Sequence, residues 1–374
     1  MGHRRLIGAL TVFVLACAGQ PREGTIGYTS GDREPNAGTV ARADLDSTRR
    51  TGEAPIWITT GDTAPAVGPP GALVTAVNKA IRFSGDRGIV AVVGPGGSRE
   101  ALQTAPIYRD AKLPNVVPTA TSRLLRSARP WTFRLAADDS AQGEFIGGFV
   151  SKRLGSRAAI LFYIPDEYGL GLASGIGAAL GRHSVRLLDR LPVRSGQGCV
   201  AGANPYEAVV HDALRAGTPD AVLLATRSPE SSCLLRAIVA RLPGARFVAG
   251  DGTLVDSAFI ARTGRVADSL YVVTFWQPGS GDTASQSFAA RFRKSTGRLP
   301  RHDDAMFYDA VMLVGRAIRT VGPHRVAIRQ YLEELGGVRP PYPGITGPIA
   351  FRPDSRRPLL MTRISGHRLE VVPP

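Results

Sequence analysis

Cysteine, lysine and long apolar runs are all scarce in this chain. Its 374 residues hold three cysteines, Cys17, Cys199 and Cys233. None has the Cys-x-x-Cys or Cys/His spacing of a zinc site, and six scattered histidines form no metal constellation. No apolar run approaches the ~20 residues needed to span a bilayer. Only Lys79, Lys112, Lys152 and Lys294 are lysines, so the net charge of +15 is carried by arginine. A basic excess suits nucleic acid or anionic lipid as a partner. These arginines, however, run from end to end without dense clusters or interleaved aromatics, beside abundant Ala, Gly, Pro and Val. That pattern reads as compositional bias, and no nucleic-acid partner is expected. With 43% hydrophobic and 21% charged residues the chain can bury ordinary cores, and its length suits two or more domains.

The first residues read as a secretion signal. His3-Arg4-Arg5 give a cationic start, and residues 6–16 form an apolar core of signal-peptide length. The run ends Val14-Leu15-Ala16-Cys17, which resembles the lipobox of bacterial lipoproteins, where the cysteine is lipidated and becomes the first mature residue. The other reading is a plain signal peptide that removes Cys17. The body is then expected outside the cytoplasm, held to a membrane through its lipid anchor only. Residues 17–50, rich in Gly, Arg, Thr and Asp, read as a tether with at most one short strand near 25–29. Cys199 and Cys233 remain, and an even number in an oxidising compartment favours a disulfide, with two buried thiols as the alternative. Both follow the carboxyl ends of what read as neighbouring strands. A bridge closing ~35 residues would contribute roughly 3–4 kcal/mol in the chain-entropy model.

After residue 55 short β-rich runs alternate with longer amphipathic stretches. The runs are 55–59, 89–93, 115–119, 158–163, 185–193, 221–226, 246–250 and 270–275. Helical spacing covers 71–83, 98–111, 141–154, 169–181, 206–216, 229–242, 285–295 and 303–321. This alternation argues an α/β fold with mainly parallel sheets. Eight such pairs exceed one sheet of average width, so two lobes are expected, with a closed barrel as the rival. The tail differs, with short antiparallel strands at 347–351, 360–365 and 368–372.

Ligands of open α/β sheets bind beyond the carboxyl ends of the strands. Four such turns are rich in small and polar residues: 94–98, 118–122, 164–169 and 250–253. Ser98 opens a helix, either as an ordinary N-cap or as part of an anion site made with helix N-terminal amides. Thr119 and Thr121 offer a carbonyl and a hydroxyl, or only turn chemistry. Asp251, between two glycines, is a turn residue or the counter-charge for a cationic group. Tyr168 is wall packing or a ring that covers a ligand.

Enzyme motifs fail. A dinucleotide fingerprint on Gly94 and Gly96 would need glycine where Arg99 stands, and Lys294-Ser295-Thr296 lacks a preceding glycine loop. No Gly-x-Ser-x-Gly elbow follows a strand. His302-Asp303-Asp304 opens a helix, where aspartates serve as caps. No catalytic residue, no cofactor and no metal are assigned.

The stretches VVGPGGSREALQTAPIY (92–108), LPNVVPTATS (113–122), FRLAADDSAQG (133–143), AAILFYIPDEYGLGLASGI (158–176), YDAVMLVGRAI (308–318) and GITGPIAF (344–351) resemble, in order, the type I periplasmic binding proteins. The likeness is to the leucine/isoleucine/valine-binding branch of ABC-transporter substrate-binding proteins. It implies two Rossmann-like lobes joined by three crossings, near 134–138, 275–281 and 338–346. An N-terminal lobe is expected from 51–136 and 279–340, and a C-terminal lobe from 137–278 and 341–374. It also implies a ligand site of Ser98, Thr119, Thr121, Tyr168 and Asp251 for an amino acid-like molecule, delivered to an ABC permease. A sensory envelope lipoprotein that contacts a protein partner is the alternative. Two departures bear on the first-lobe pocket wall: the shortened, Arg-rich opening before Pro55, and Gly96-Gly97 where bulkier or hydroxyl residues are common. Specificity for branched side chains is therefore not implied.

Overall fold

The computed structural model of the protein describes residues 24–29, 36–60, 71–196, 199, 203–215, 217–279, 282–352, 354–366 and 368–373. Cys17 and the signal-like segment lie outside them. In chain order the first lobe opens with β1 (Gly24–Tyr28), α1 (Ala37–Ser47), β2 (Ile56–Thr59), α2 (Ala72–Gly85), β3 (Ile89–Val93), α3 (Ser98–Asp110), β4 (Asn115–Val117) and β5 (Thr132–Arg134). Its strands form a parallel sheet of order β2-β1-β3-β4-β5. β3 is apolar at all five positions because helices cover both faces, and every one of its residues is buried.

The chain then enters a second sheet. Its elements are α4 (Asp139–Lys152), β6 (Ala158–Tyr163), α5 (Glu167–Arg182), β7 (Arg186–Pro192), α6 (Glu207–Arg215), β8 (Ala221–Ala225), α7 (Ser228–Val239), β9 (Arg246–Ala249), α8 (Ser257–Thr263) and β10 (Leu270–Thr274). It returns to the first lobe for α9 (Thr283–Thr296), α10 (His302–Val321) and α11 (Arg325–Glu334). It crosses again through β11 (Tyr342–Gly344) and β12 (Gly347–Ile349) to β13 (Leu360–Ser365) and β14 (Arg368–Val371). The second sheet has the order β14-β13-β10-β9-β8-β6-β7, with β13 and β14 antiparallel. Two open sheets exclude the barrel. The fold is α/β with two lobes and three crossings. Among the described residues no helix is long and apolar enough to cross a membrane.

Several expectations need correcting. Residues 24–28 and 37–47 are no tether. β1 lies between β2 and β3, and α1 packs on α10. The stripe that α1 buries is Ala37, Gly38, Val40, Ala41 and Leu45, mostly residues too small to show as a hydrophobic period. Leu45 fits because position 315 is glycine: a Cβ there would stand 2.5 Å from it. The lobe boundary placed at residue 341 also moves. Ile349 and Phe351 lie in the first lobe's core, where Phe351 meets Phe133 edge-on at 5.0 Å, and Asp309 on α10 accepts the N–H groups of Ile345 and Thr346.

Cys199 and Cys233 are bridged, with Cα atoms 5.5 Å apart. Their strands are not neighbours, however. β6 separates β7 from β8, and Cys233 sits within α7 rather than at a strand end.

The position of α4 depends on glycine. A Cβ on Gly143 would stand 2.2 Å from the backbone of Gly175 on α5, and one on Gly175 would stand 2.3 Å from the carbonyl of Asp139. Backbone cannot yield as a flexible side chain does. Gly143→Ala is expected to lower stability by about 1–3 kcal/mol through overpacking, read as a lower melting temperature. An unchanged melting temperature would show that α4 and α5 are not held this closely.

Candidate functional site

In the first lobe the chain turns at the ends of β3 and β4 and brings Ser98 and Thr121 together. Ser98 is the first residue of α3, and Gly97 takes the cap position without a side-chain bond, so Ser98 is not the N-cap. Its Oγ accepts the N–H groups of Thr121 and Ser122, both at 3.2 Å. A hydroxyl has two acceptor sites and one proton. With both sites used, the Ser98 proton is left to donate. The Thr121 hydroxyl is fully buried and makes no well-aligned hydrogen bond. Thr119 donates to the Gly96 carbonyl at 3.0 Å. A Cβ on Gly96 would stand 2.7 Å from the Thr119 hydroxyl and 3.3 Å from the Phe307 ring, so this glycine makes room for protein side chains.

In the second lobe Tyr168 and Asp251 meet beyond β6 and β9. The Tyr168 hydroxyl accepts the Gly252 N–H at 2.8 Å, and a Cβ on Gly252 would stand 2.7 Å from that oxygen. The glycines around Asp251 are thus required by the buried tyrosine. Burial, with the charge of Asp251, pushes the Tyr168 phenol well above its usual range. Arg227, from the turn after β8, lies over the Tyr168 ring at 5.2 Å and pairs with Asp166 at 2.8 Å.

Helix α4, expected from the sequence at 141–154, joins the two halves, but the sequence reading named none of its residues as part of the site. Its first residue, Asp139, donates its N–H to the Thr121 carbonyl at 3.0 Å, across the first crossing. One turn on, Gln142 accepts the Asp251 N–H at 3.4 Å. The i, i+3 spacing places both side chains on one helix face, a signal present in the Asp139-x-x-Gln142 run itself. The neighbouring acid has a different fate. Asp138 caps α4 through the Ala141 N–H at 3.0 Å and pairs with Arg134 and Arg126 at 3.3 and 3.2 Å. Against the cost of burial, these partners hold it below its ordinary value.

Among the described residues Asp139 has no cation within ion-pair distance, though the Arg134 charge acts on it. It is 1% exposed, both its oxygens lack a well-aligned partner, and its carboxylate rests where a Cβ on Gly171 would stand 2.2 Å from Oδ2. Burial pushes it up to about 7; the Thr121 hydroxyl opposes this and the charge of Asp251 adds to it. Asp251 is 5% exposed, and its Oδ1 is likewise unpartnered. Burial raises it to about 6, against the Gln142 amide and the Tyr168 hydroxyl. Two carboxylates therefore lie buried close together, opposite a serine proton and the N-terminus of α3. At the rim Arg99 on α3 faces Glu167 on α5 at 3.9 Å, so the lobes are in contact across the cleft.

His302-Asp303-Asp304 is structural. Asp304 accepts the Arg301 N–H at 2.8 Å and pairs with Arg298 at 2.7 Å, while Asp303 pairs with Arg301 at 2.8 Å. His302 meets Phe275 edge-on at 5.4 Å, and burial lowers its imidazole to about 4.

A sequence profile of the periplasmic binding protein family matches residues 68–363. The chain belongs to this family. It resembles an amino acid binding protein of Pseudomonas aeruginosa, 25% identical over 168 residues, which are 45% of this chain and 43% of that protein. The chain spans less than half the length of the curated relatives it matches. A leucine-binding protein of Thermotoga maritima superposes with a TM-score of 0.78 at 20% identity, over 94% of this chain and 98% of that one. The branched-chain amino acid transporter substrate-binding protein of Streptococcus pneumoniae, solved with isoleucine, gives 0.79 at 18% identity, over 94% and 100%. The fold is therefore that of the type I periplasmic binding proteins.

The two raised carboxylates give the free protein a pH signature. Their folded values exceed the ordinary 3.8, so the folded chain holds protons that the unfolded chain has shed. The stability they contribute is present on the acid side and is lost as pH rises through about 6 and about 7. Asp139→Asn removes a buried unpartnered charge and is expected to stabilise the ligand-free protein at pH 8 by about 1–3 kcal/mol. It should also flatten the fall in melting temperature between pH 5 and 8. A variant less stable than its parent at pH 8 would contradict this assignment.

Proposed function

We propose that the protein is an extracytoplasmic solute-binding component of an ABC-type importer, taking a small molecule with both an ammonium and a carboxylate group. Its body would be held at a membrane through lipidated Cys17 and would hand its ligand to a permease. The observation that carries the reading is the pair of buried carboxylates of Asp139 and Asp251, with both Asp139 oxygens and Asp251 Oδ1 unpartnered, facing the free Ser98 proton and the start of α3. Burying ionised groups without partners is costly, and a ligand cation between them reverses the cost. The ligand carboxylate takes the Ser98 proton and the first N–H groups of α3, where the helix carries partial positive charge. The ammonium donates to Asp139, Asp251 and the Thr121 hydroxyl.

The two groups come from different lobes, so the full set of contacts exists only when the lobes are together. Binding then shifts the population of closed molecules, and no covalent step is needed. The names of the Pseudomonas relative and of both solved proteins support an amino acid as the ligand. The site itself selects the zwitterionic end, and the Arg227–Asp166 pair offers polar contacts to what lies beyond it.

A thermal-shift screen over the L-amino acids at pH 8 tests this, followed by calorimetry on the best ligand. At a hundredfold excess over Kd, the bound protein gains roughly 2–3 kcal/mol. Asp251→Asn is expected to weaken binding about ten- to a hundredfold, the loss of one charge-assisted hydrogen bond. Because the ammonium needs ionised carboxylates, affinity should also fall about tenfold or more from pH 8 to pH 5. No shift with any amino acid, or equal affinity in the variant, would sink the proposal.

A further inference from the structure

The first lobe carries a cavity of about 760 Å³ that shares no residue with the cleft. It lies between the end of α1, the second half of α10, the end of α11 and the third crossing at 339–343. Leu45, Met312 and Leu335 contribute apolar surface, and Tyr331, Tyr342 and three prolines of the crossing add flat walls. Four arginines line it against one acid, Glu53.

Two of the four are already committed. Arg319 donates to the Thr48 hydroxyl at 3.0 Å and to the Leu45 carbonyl, and faces Glu53 at 3.5 Å. Arg339 pairs with Glu334 at 2.7 Å and lies over the Tyr331 ring at 4.7 Å. Arg50 and Arg316 are both exposed, and among the described residues neither has an acid within ion-pair distance. Arg316 and Tyr342 line the same cavity, and the Arg316 charge acts on the Tyr342 phenol against the burial that raises it. The cavity therefore combines flat apolar walls with two uncompensated guanidinium groups. Guanidinium suits a carboxylate through paired N–H donors, and the volume is that of a small-molecule pocket.

We propose that this cavity is a second binding site, for a small organic anion with a flat apolar body such as an aromatic carboxylate. One of its walls is a crossing between the lobes, and that strand of chain continues into Ile345 and Thr346, whose N–H groups Asp309 on α10 holds at 2.9 Å. An occupant that favours one position of the crossing changes the affinity of the cleft, and the cleft ligand changes its affinity by the same factor.

The test is calorimetry of the full chain with 2-naphthoate. Binding is expected at one site per chain. Arg316→Gln should weaken it about ten- to a hundredfold, with the melting temperature of the free protein unchanged. Arg50→Gln should weaken it in the same direction, and it carries the test if the first variant fails to fold. The cleft variant Ser98→Ala should bind naphthoate as the parent does. Absence of binding at millimolar naphthoate, parental affinity in both arginine variants, or loss of binding in Ser98→Ala would each overturn the proposal. The last outcome would place the anion in the cleft and leave the amino acid reading intact.

Discussion

Two carboxylates are buried close together where the lobes meet, and among the described residues neither has a cation within ion-pair distance. Asp138, Asp139 and Asp251 are all buried, yet only Asp138 is neutralised, by Arg134 and Arg126. Glycines bring other groups close around the remaining two. Gly171 and Gly175 let α5 approach Asp139, and Gly250 and Gly252 let Tyr168 and Leu172 approach Asp251. Exclusion of water then makes each unpaired oxygen costly and raises both groups above their ordinary value. That arrangement is costly while the carboxylates stand ionised and unpaired, and a cation between them would offset the cost. Stability given up at a site is a common companion of function.

Topology explains why these residues converge. In each sheet, strands on opposite sides of a switch in order leave a crevice beyond their carboxyl ends, between β1 and β3 and between β6 and β8. Ser98 follows β3, Thr121 follows β4, Tyr168 follows β6 and Asp251 follows β9. The crossing after β5 then delivers the start of α4 to the same place, so Asp139 touches Thr121 on one side while Gln142 meets Asp251 on the other. Donor and acceptor ends of the site thus sit on separate lobes.

Most of this was legible in the sequence wherever a strand was long and apolar. The runs at 89–93 and 158–163 match β3 and β6, and the site residues in the turns after them could be named. Elements built from small or charged residues were not legible. The helix α1 buries mainly Gly and Ala, α11 shows only Ile328, Tyr331 and Leu332 to the core, and β5 and β11 have three residues each. Asp139 and Gln142 escaped because they lie on a helix reached through a crossing, whereas the search followed strand ends. Arg227 does follow a strand end, but its turn has none of the glycine that drew attention to the others. The glycines at 96 and 97 misled in the opposite sense, since the space at Gly96 is filled by Thr119 and Phe307 rather than left to a ligand.

The central claim is that Asp139 and Asp251 are a carboxylate pair waiting for a cation. The most direct measurement is an NMR titration of the side-chain carboxyl carbons in aspartate-labelled protein, assigned with the Asp139→Asn and Asp251→Asn variants. In the free protein the two should titrate near 7 and near 6. With saturating ligand, an ammonium beside them should hold both ionised to well below those values. Two ordinary aspartates titrating near 3.8 in the free protein, or midpoints that the ligand leaves in place, would contradict the account.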